Sequence, residues 1–352
     1  MKNPIIKILV VVLIGFFAIS HSAKSQEFGD IFKGGTEDAN RYLNSYTESI
    51  MRSFNNGLSA GWYNTAETHK ILGFDLTATV NIANIPSGER KFQFNQADYN
   101  NLRLQSGSDI LPTAVGGETT SRLVIPAGTE VIPGSGVTYG SDVVFDAPSG
   151  ADVEDLPIVG FPVPAFQLGV GLPKNTELII RYASDLGAVE DGSFNLFGLG
   201  VKHDLKQWIP GLKQIPFDVS GFASFNRLKA EFDINENDPE FQADGVAVLK
   251  ASSVTIQGII SKKISILTPY VGVGYNIASS SIEVNGDFTY TDTSPGGQSV
   301  TVTDPVSLDF TGASSPRINA GLRIKLLILT LHAEYAIQKY NTFTAGVGIS
   351  IR

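Results

Sequence analysis

The sequence predicts an all-β protein, a transmembrane antiparallel β-barrel of about ten to fourteen strands with a short N-terminal helical segment. Three observations carry this. First, the C-terminal run alternates strictly: Phe343, Ala345, Val347, Ile349 and Ile351 are apolar, while Thr342, Thr344, Gly346, Gly348 and Ser350 between them are small or polar. The two runs before it repeat the pattern, Leu329, Leu331, Ala333, Tyr335 and Ile337 against Thr330, His332, Glu334 and Gln338, and Ile318, Ala320, Leu322 and Ile324 against Arg317, Asn319, Arg323 and Lys325. A soluble half-buried sheet also alternates with period two. A wall between lipid and a polar lumen is what turns Arg, His and Glu inward while Leu, Tyr and Phe face out. Second, only 17% of residues are charged, 36 are Gly, none is Cys, and no long apolar run follows the N-terminus, which disfavours helical spans. Third, the chain ends on its last strand, which is then expected to close against the first.

The elements follow in order. Lys2 and Lys7 precede an apolar stretch over residues 8–19, and Ala23-Lys24-Ser25 offers small residues for cleavage before Gln26. Residues 1–25 therefore read as a secretory signal peptide. Its removal takes Lys2, Lys7 and Lys24 and moves the formal charge from −9 to −12. Residues 26–70 read as a helical plug or periplasmic segment. Its helix spans residues 36–56, with Thr36 as N-cap, Glu37 and Asp38 in the first turn and Gly57 past the end. Leu43, Tyr46, Ile50 and Phe54 form its apolar stripe and are the candidate plug residues.

The barrel is expected over residues 71–352. Phe74, Leu76, Ala78, Val80 and Ile82 alternate with Asp75, Thr77, Thr79 and Asn81 in the first strand. Further strands are expected at 165–172, 176–183, 195–203, 217–234, 246–260, 270–291 and 299–310, the last running on toward Lys325. In 217–234 the apolar parity flips near Asn226, which suggests a bulge. Short turns at 172–175 and 261–263 read as periplasmic, and segments 235–241 and 293–298 as external. The long loop over residues 105–160 holds five prolines and eight acidic residues, including Asp152, Glu154 and Asp155, against Arg122 alone. It reads as an external lid with short hairpins near 123–132 and 141–145.

Arg317, Arg323, His332 and Glu334 are candidate luminal polar residues. His332 and Glu334 share a face and could be drawn as an acid and base pair, but charged ladders are also how barrel interiors satisfy their polar groups. No Ser stands in a nucleophile elbow, and His69 and His203 have no partner at metal-ligand spacing. No enzyme, cofactor or metal is expected, nor nucleic-acid binding. Gly-X-Gly pairs at 169 and 171, 198 and 200, 272 and 274, and 346 and 348 lie inside strands. They either let a plug approach closely or ease strand bending. Between His203 and Phe217, Trp208, Ile209 and Leu212 at near-helical spacing with Lys206 and Lys213 suit the membrane interface.

At these residues a resemblance enters. Residues 39–42, Trp62-Tyr63-Asn64-Thr65-Ala66, Gly73-Phe74-Asp75-Leu76-Thr77, Gly200-Val201-Lys202-His203-Asp204 and Gln207-Trp208-Ile209-Pro210 resemble an uncharacterised family of predicted outer-membrane barrels from Gram-negative bacteria. More distantly, the layout of a helical segment ahead of a Gly-rich barrel is similar to FadL-type transporters of long-chain fatty acids. These likenesses imply the outer membrane, with its lipids and the barrel-assembly machinery as partners. They also imply a passive channel for small hydrophobic molecules. The other reading is a structural or adhesive surface barrel acting through its external loops. A sealed lumen favours the second, a continuous apolar tunnel the first.

Overall fold

The computed structural model describes residues 30–130, 138–153, 155–184, 192–237, 241–291, 299–311 and 314–351. The expected signal peptide, Glu154 and segment 293–298 lie outside them. Ten antiparallel strands form a closed barrel: β1 (Phe74–Ala83), β2 (Pro162–Leu172), β3 (Thr176–Ser184), β4 (Gly192–Asp204), β5 (Asp218–Asn237), β6 (Phe241–Ser261), β7 (Leu267–Thr291), β8 (Ser315–Leu326), β9 (Leu329–Ile337) and β10 (Thr342–Ile351). Each pairs with its neighbours in sequence, and β1 pairs with β10 from Phe74 opposite Ile351 to Ala83 opposite Thr342. The expected closure of last strand on first is thus met, and the ten-stranded ring itself has no open edge. Among the described residues no helix is long and apolar enough to cross a membrane. The strands are the membrane-crossing elements.

The two faces obey the alternation. On β9, Leu329, Leu331, Tyr335 and Ile337 are exposed, while Thr330, His332 and Glu334 are buried in the lumen. The same holds on β1, with Phe74, Leu76 and Val80 out and Asp75, Thr77, Thr79 and Asn81 in. The bulge expected near Asn226 is absent. Pairing of β5 runs unbroken from Asp218 opposite Ser261 to Asn237 opposite Gln242, and on its other side from Ser220 to Phe232 against β4. What changes at Asn226 is the surroundings. Before it, Phe225 faces out and Ser220 and Ser224 face in; beyond it, Arg227 and Lys229 face out and Leu228 and Ala230 face in. Neighbouring strands change at the same level, where Val254 and Ile277 give way to exposed Ser279 and a Lys250–Glu283 pair at 2.8 Å. The lipid-facing band therefore ends there, and β5, β6 and β7 continue past it as a wall with a protein-filled interior.

Segment 299–326 is one interrupted strand rather than two barrel strands. Ser299–Thr303 and Val306–Phe310 both pair with the far end of β7 in one register, and β8 follows with a shift of one residue. The long connection between β1 and β2 folds as a cap at the end of the barrel with the longer loops. In it Arg122–Ile125 pairs with both Arg103–Ser106 and Val143–Asp146, so the two hairpins expected there are replaced by one three-stranded sheet. At the opposite, turn end the connections are short except for residues 205–217 between β4 and β5. In the β2–β3 turn Lys174 and Asn175 both take positive φ, 60° and 50°, as a tight hairpin turn requires.

Candidate functional site

The site is the lumen, and the N-terminal segment fills it. Helix α1 (Thr36–Leu58) begins at the loop end and points into the barrel. Its N-cap is Gly35 rather than Thr36, with no side-chain cap bond. Buried Asp38 in the first turn instead accepts the backbone N–H groups of Asn100, Asn101 and Leu102 at 2.7–2.8 Å, tying the cap to the helix. Asn40 bonds the interrupted strand on both sides, donating to the Pro305 carbonyl and accepting from the Ser307 N–H. Deeper, Met51, Phe54 and Leu58 pack on Phe161, Val163, Leu196, Leu228 and Phe310 from the inner wall.

The helix carries more than the single stripe expected of it. Phe54 and half-buried Leu43 meet the wall, Tyr46 turns to the cap beside Phe94 and Leu111, and Ile50 packs on Ala83, Ile85 and Tyr340. A helix enclosed on all sides buries polar residues too. Ser53 donates to the Ala83 carbonyl and Asn55 to Ser280 Oγ.

Past Leu58 the chain continues down the lumen, and residues 57–66 are buried without a break. The wall bonds it step by step. Arg181, fully buried on β3, donates to the carbonyls of Leu58 and Ala60 and to Gln167 Oε1, each at 3.0 Å, and its guanidinium lies 4.0 Å over the Trp62 ring. The Tyr63 hydroxyl lies 3.0 Å from both Gln257 Oε1 and Asn319 Oδ1. Ser261 Oγ accepts the Ala66 N–H, and Ser220 donates to the Ala66 carbonyl. Of the paired glycines open to two readings, Gly198, Gly200 and Gly272 let the segment approach closely, whereas Gly346 and Gly348 meet only neighbouring wall strands. Alanine Cβ atoms at Gly198 and Gly200 would sit 2.9 and 3.1 Å from the Trp62 indole, and Gly272 lies under the Tyr63 hydroxyl.

At the turn end the segment meets an ionic cluster that sequence spacing did not reveal. His69 Nε2 is 2.9 Å from Asp75 Oδ2, the His69 N–H donates to Glu177 Oε2, and Lys202 Nζ lies 3.1 Å from that same oxygen. All four side chains are buried or nearly so. Thus His69 does have carboxylate partners, which come from β1 and β3, the strands on either side of β2. One atom each of His69, Asp75 and Glu177 lie within 4.8 Å of one another, a spacing that a cation could bridge. The Lys202 ammonium already neutralises Glu177, so the arrangement works as a hydrogen-bonded latch on the segment's end.

The other expected luminal residues separate into two environments. Arg317 Nη2 bonds Glu334 Oε1 at 2.6 Å, and Asn319 donates to Glu334 Oε2. The acid-and-base drawing of His332 with Glu334 finds no such contact: Glu334 is held by Arg317 and Asn319, and His332 stands beside Arg323 one row lower. In the interface segment, Trp208 and Ile209 are exposed and Trp208 Nε1 donates to His203 Nε2 at 2.7 Å. Only Leu212–Gln214 of that segment is helical, as a single 3₁₀ turn. Lys206 donates to the Ile215 carbonyl, and Lys213 is exposed.

A family model spanning this architecture matches residues 1–351. The chain belongs to a family of unknown function (DUF6588). No curated protein matches it. Among solved structures it is similar to the translocator domain of the autotransporter NalP from Neisseria meningitidis, with 9% identity over 86% of this chain and 93% of that one and a TM-score of 0.29. It is also similar to Ail, the attachment invasion locus protein of Yersinia pestis, with 15% identity over 50% and 96% and a TM-score of 0.24. A third, the outer membrane protein opdK of Pseudomonas aeruginosa, gives 8% identity over 79% and 98% and a TM-score of 0.13. At these TM-scores no function passes from one protein to another.

Proposed function

We propose that this protein is a self-plugged barrel of the Gram-negative outer membrane, acting at the cell surface through its cap rather than as an open pore. The supporting observation is the unbroken burial of residues 57–66 inside the lumen, with wall bonds at Leu58, Ala60, Tyr63 and Ala66. Short turns face the periplasm in such barrels, so the cap is external and the chain threads its own lumen from outside to inside before β1 begins. The cap has room for a partner. It carries an acidic surface and a groove of about 470 Å³ lined by Lys91, Ser108, Glu118 and Thr119.

The conduit reading keeps one specific support. Below Leu58 the segment is held by wall hydrogen bonds and by ring contacts of Trp62 and Tyr63 with Phe222 and Tyr270. The apolar upper lumen around Phe54 and Phe310 is what a hydrophobic passenger would use, as the expected uptake of small hydrophobic molecules requires. Conductance in planar bilayers, with uptake of an apolar dye by vesicles, separates the readings. The intact protein is expected to be tight, and a form lacking residues 26–70 to conduct. Steady conductance and dye uptake by the intact protein would remove the plugged surface reading.

A further inference from the structure

Two rows of luminal residues cross β8, β9, β10 and β1 side by side. In one, Arg323 is opposite His332, His332 opposite Gly346 and Gly346 opposite Thr79; in the next, Lys325 is opposite Thr330, Thr330 opposite Gly348 and Gly348 opposite Thr77. The row above them is fully engaged: Thr344 donates to Asn81, and Glu334 accepts from Arg317 and Asn319. In these two rows the reverse holds. Arg323 Nε and Nη2, His332 Nδ1 and the hydroxyls of Thr77, Thr79 and Thr330 are buried with no hydrogen-bond partner among the described residues. Arg323 is 2% exposed. A buried donor left unmatched costs about 1–3 kcal/mol, so six on one patch of wall point to a missing partner.

The identity of the free atoms says what that partner is. Nε–H and Nη2–H form one edge of the guanidinium, the edge that grips two oxygens of a carboxylate or phosphate side by side. Hydroxyls lie in the next row, on Thr330 and Thr77. Gly348 has no side chain, and a Cβ there would sit 2.6 Å from Thr77 Oγ1 and 3.0 Å from Thr330 Oγ1, so both hydroxyls converge over it. The nearby carboxylates are committed elsewhere, Asp75 to His69 and Glu177 to Lys202. Lys325, half-buried toward the turn end, adds a positive charge at the entrance. Lipid headgroups lie on the outer face and cannot reach a luminal guanidinium.

We infer that the lower lumen holds a binding site for a small free oxyanion, a carboxylate or a phosphate, gripped by the Nε–Nη2 edge of Arg323, with Thr77 and Thr330 in the next row. The site lies toward the turn end of the barrel and stands whether the plug gates transport or is permanent. Titration calorimetry on the purified protein in detergent tests it, with inorganic phosphate, acetate and chloride as separate arms. One saturable site for phosphate or acetate is expected, with chloride weaker because it lacks the second oxygen. Arg323→Gln should weaken binding about tenfold or more, and Thr330→Val severalfold, each variant being checked for its folded form by heat-dependent gel mobility. Absence of saturable oxyanion binding would mean that only water fills the patch. Binding unchanged in Arg323→Gln, or in Thr330→Val should the first not fold, would equally overturn the site.

Discussion

Replacing Arg181 by Met tests the wall's hold on the plug. The substitution keeps bulk but removes three hydrogen bonds at 3.0 Å and the stacking over Trp62. The Leu58 carbonyl keeps Asn226 as a donor at 3.2 Å, whereas the Ala60 carbonyl and Gln167 Oε1 lose the partner described here. Two orphaned buried acceptors cost about 1–3 kcal/mol each, and the lost cation–π contact about 2 kcal/mol. Against this, the variant no longer buries a charge, which is worth about 1–4 kcal/mol to an apolar replacement. The balance is about 3 kcal/mol against the seated plug, roughly a hundredfold in the ratio of seated to released forms. The chain has no cysteine, so Ala60→Cys provides a clean probe whose maleimide labelling rate follows the released population. Labelling should rise roughly a hundredfold when Arg181→Met is added. An unchanged rate in a folded barrel would refute the claim that Arg181 holds the segment.

Other outcomes follow from the same structure. Val347→Arg or Leu331→Arg, on the exposed band, should cost about 2–4 kcal/mol in unfolding from lipid vesicles, while Thr344→Val, which loses one bond to Asn81, should cost about 1 kcal/mol; equal costs would mean the faces are misassigned. Asp38→Ala, which strips three N–H groups of their acceptor, should speed proteolysis of the cap while leaving the barrel intact. In the cap and adjoining loop, burial holds the phenols of Tyr99 and Tyr340 above their ordinary value, aided by Asp38 and by the bond to Glu89 respectively. Folded tyrosine then keeps a proton that the unfolded chain releases, so cap stability should be flat below about pH 10 and fall above it. A chemical denaturation series that rose with pH there would contradict this. An epitope placed between residues 26 and 30 should be reached by antibody on intact cells if the chain enters the lumen from outside.

Much of the barrel was legible because lipid outside and polar groups inside impose period two on each strand. That reading placed β1 and β10 to within two residues and their pairing correctly. The same logic failed at Asn226, where alternation inverts. A sequence shows which parity is apolar but not which solvent each parity meets, so leaving the membrane looks like a bulge. The N-terminal helix was legible from its acidic first turn and stripe. Its full burial was not, since Ser53, Asn55 and Asn56 read as solvent-facing until the Ala83 carbonyl and Ser280 are seen beside them. The His69, Asp75, Glu177 and Lys202 cluster had no sequence signal, because strand register, such as Glu177 opposite Lys202, is what brings its members together. The glycine pairs were a usable signal: Gly198 and Gly200 mark where Trp62 lies.

The central claim, that the chain threads its own barrel, is tested most directly by one engineered disulfide. A Cβ at Gly57 would lie 3.4 Å from the Val163 Cβ, close to the separation that a disulfide takes, about 3.5–4.5 Å. With Gly57→Cys and Val163→Cys in a chain that has no other cysteine, mild oxidation of the folded protein in membranes should join plug to wall in nearly every molecule, seen as a reductant-sensitive gel shift. Free thiols at both positions in a folded barrel would show that the segment lies elsewhere and that the lumen is not closed by it.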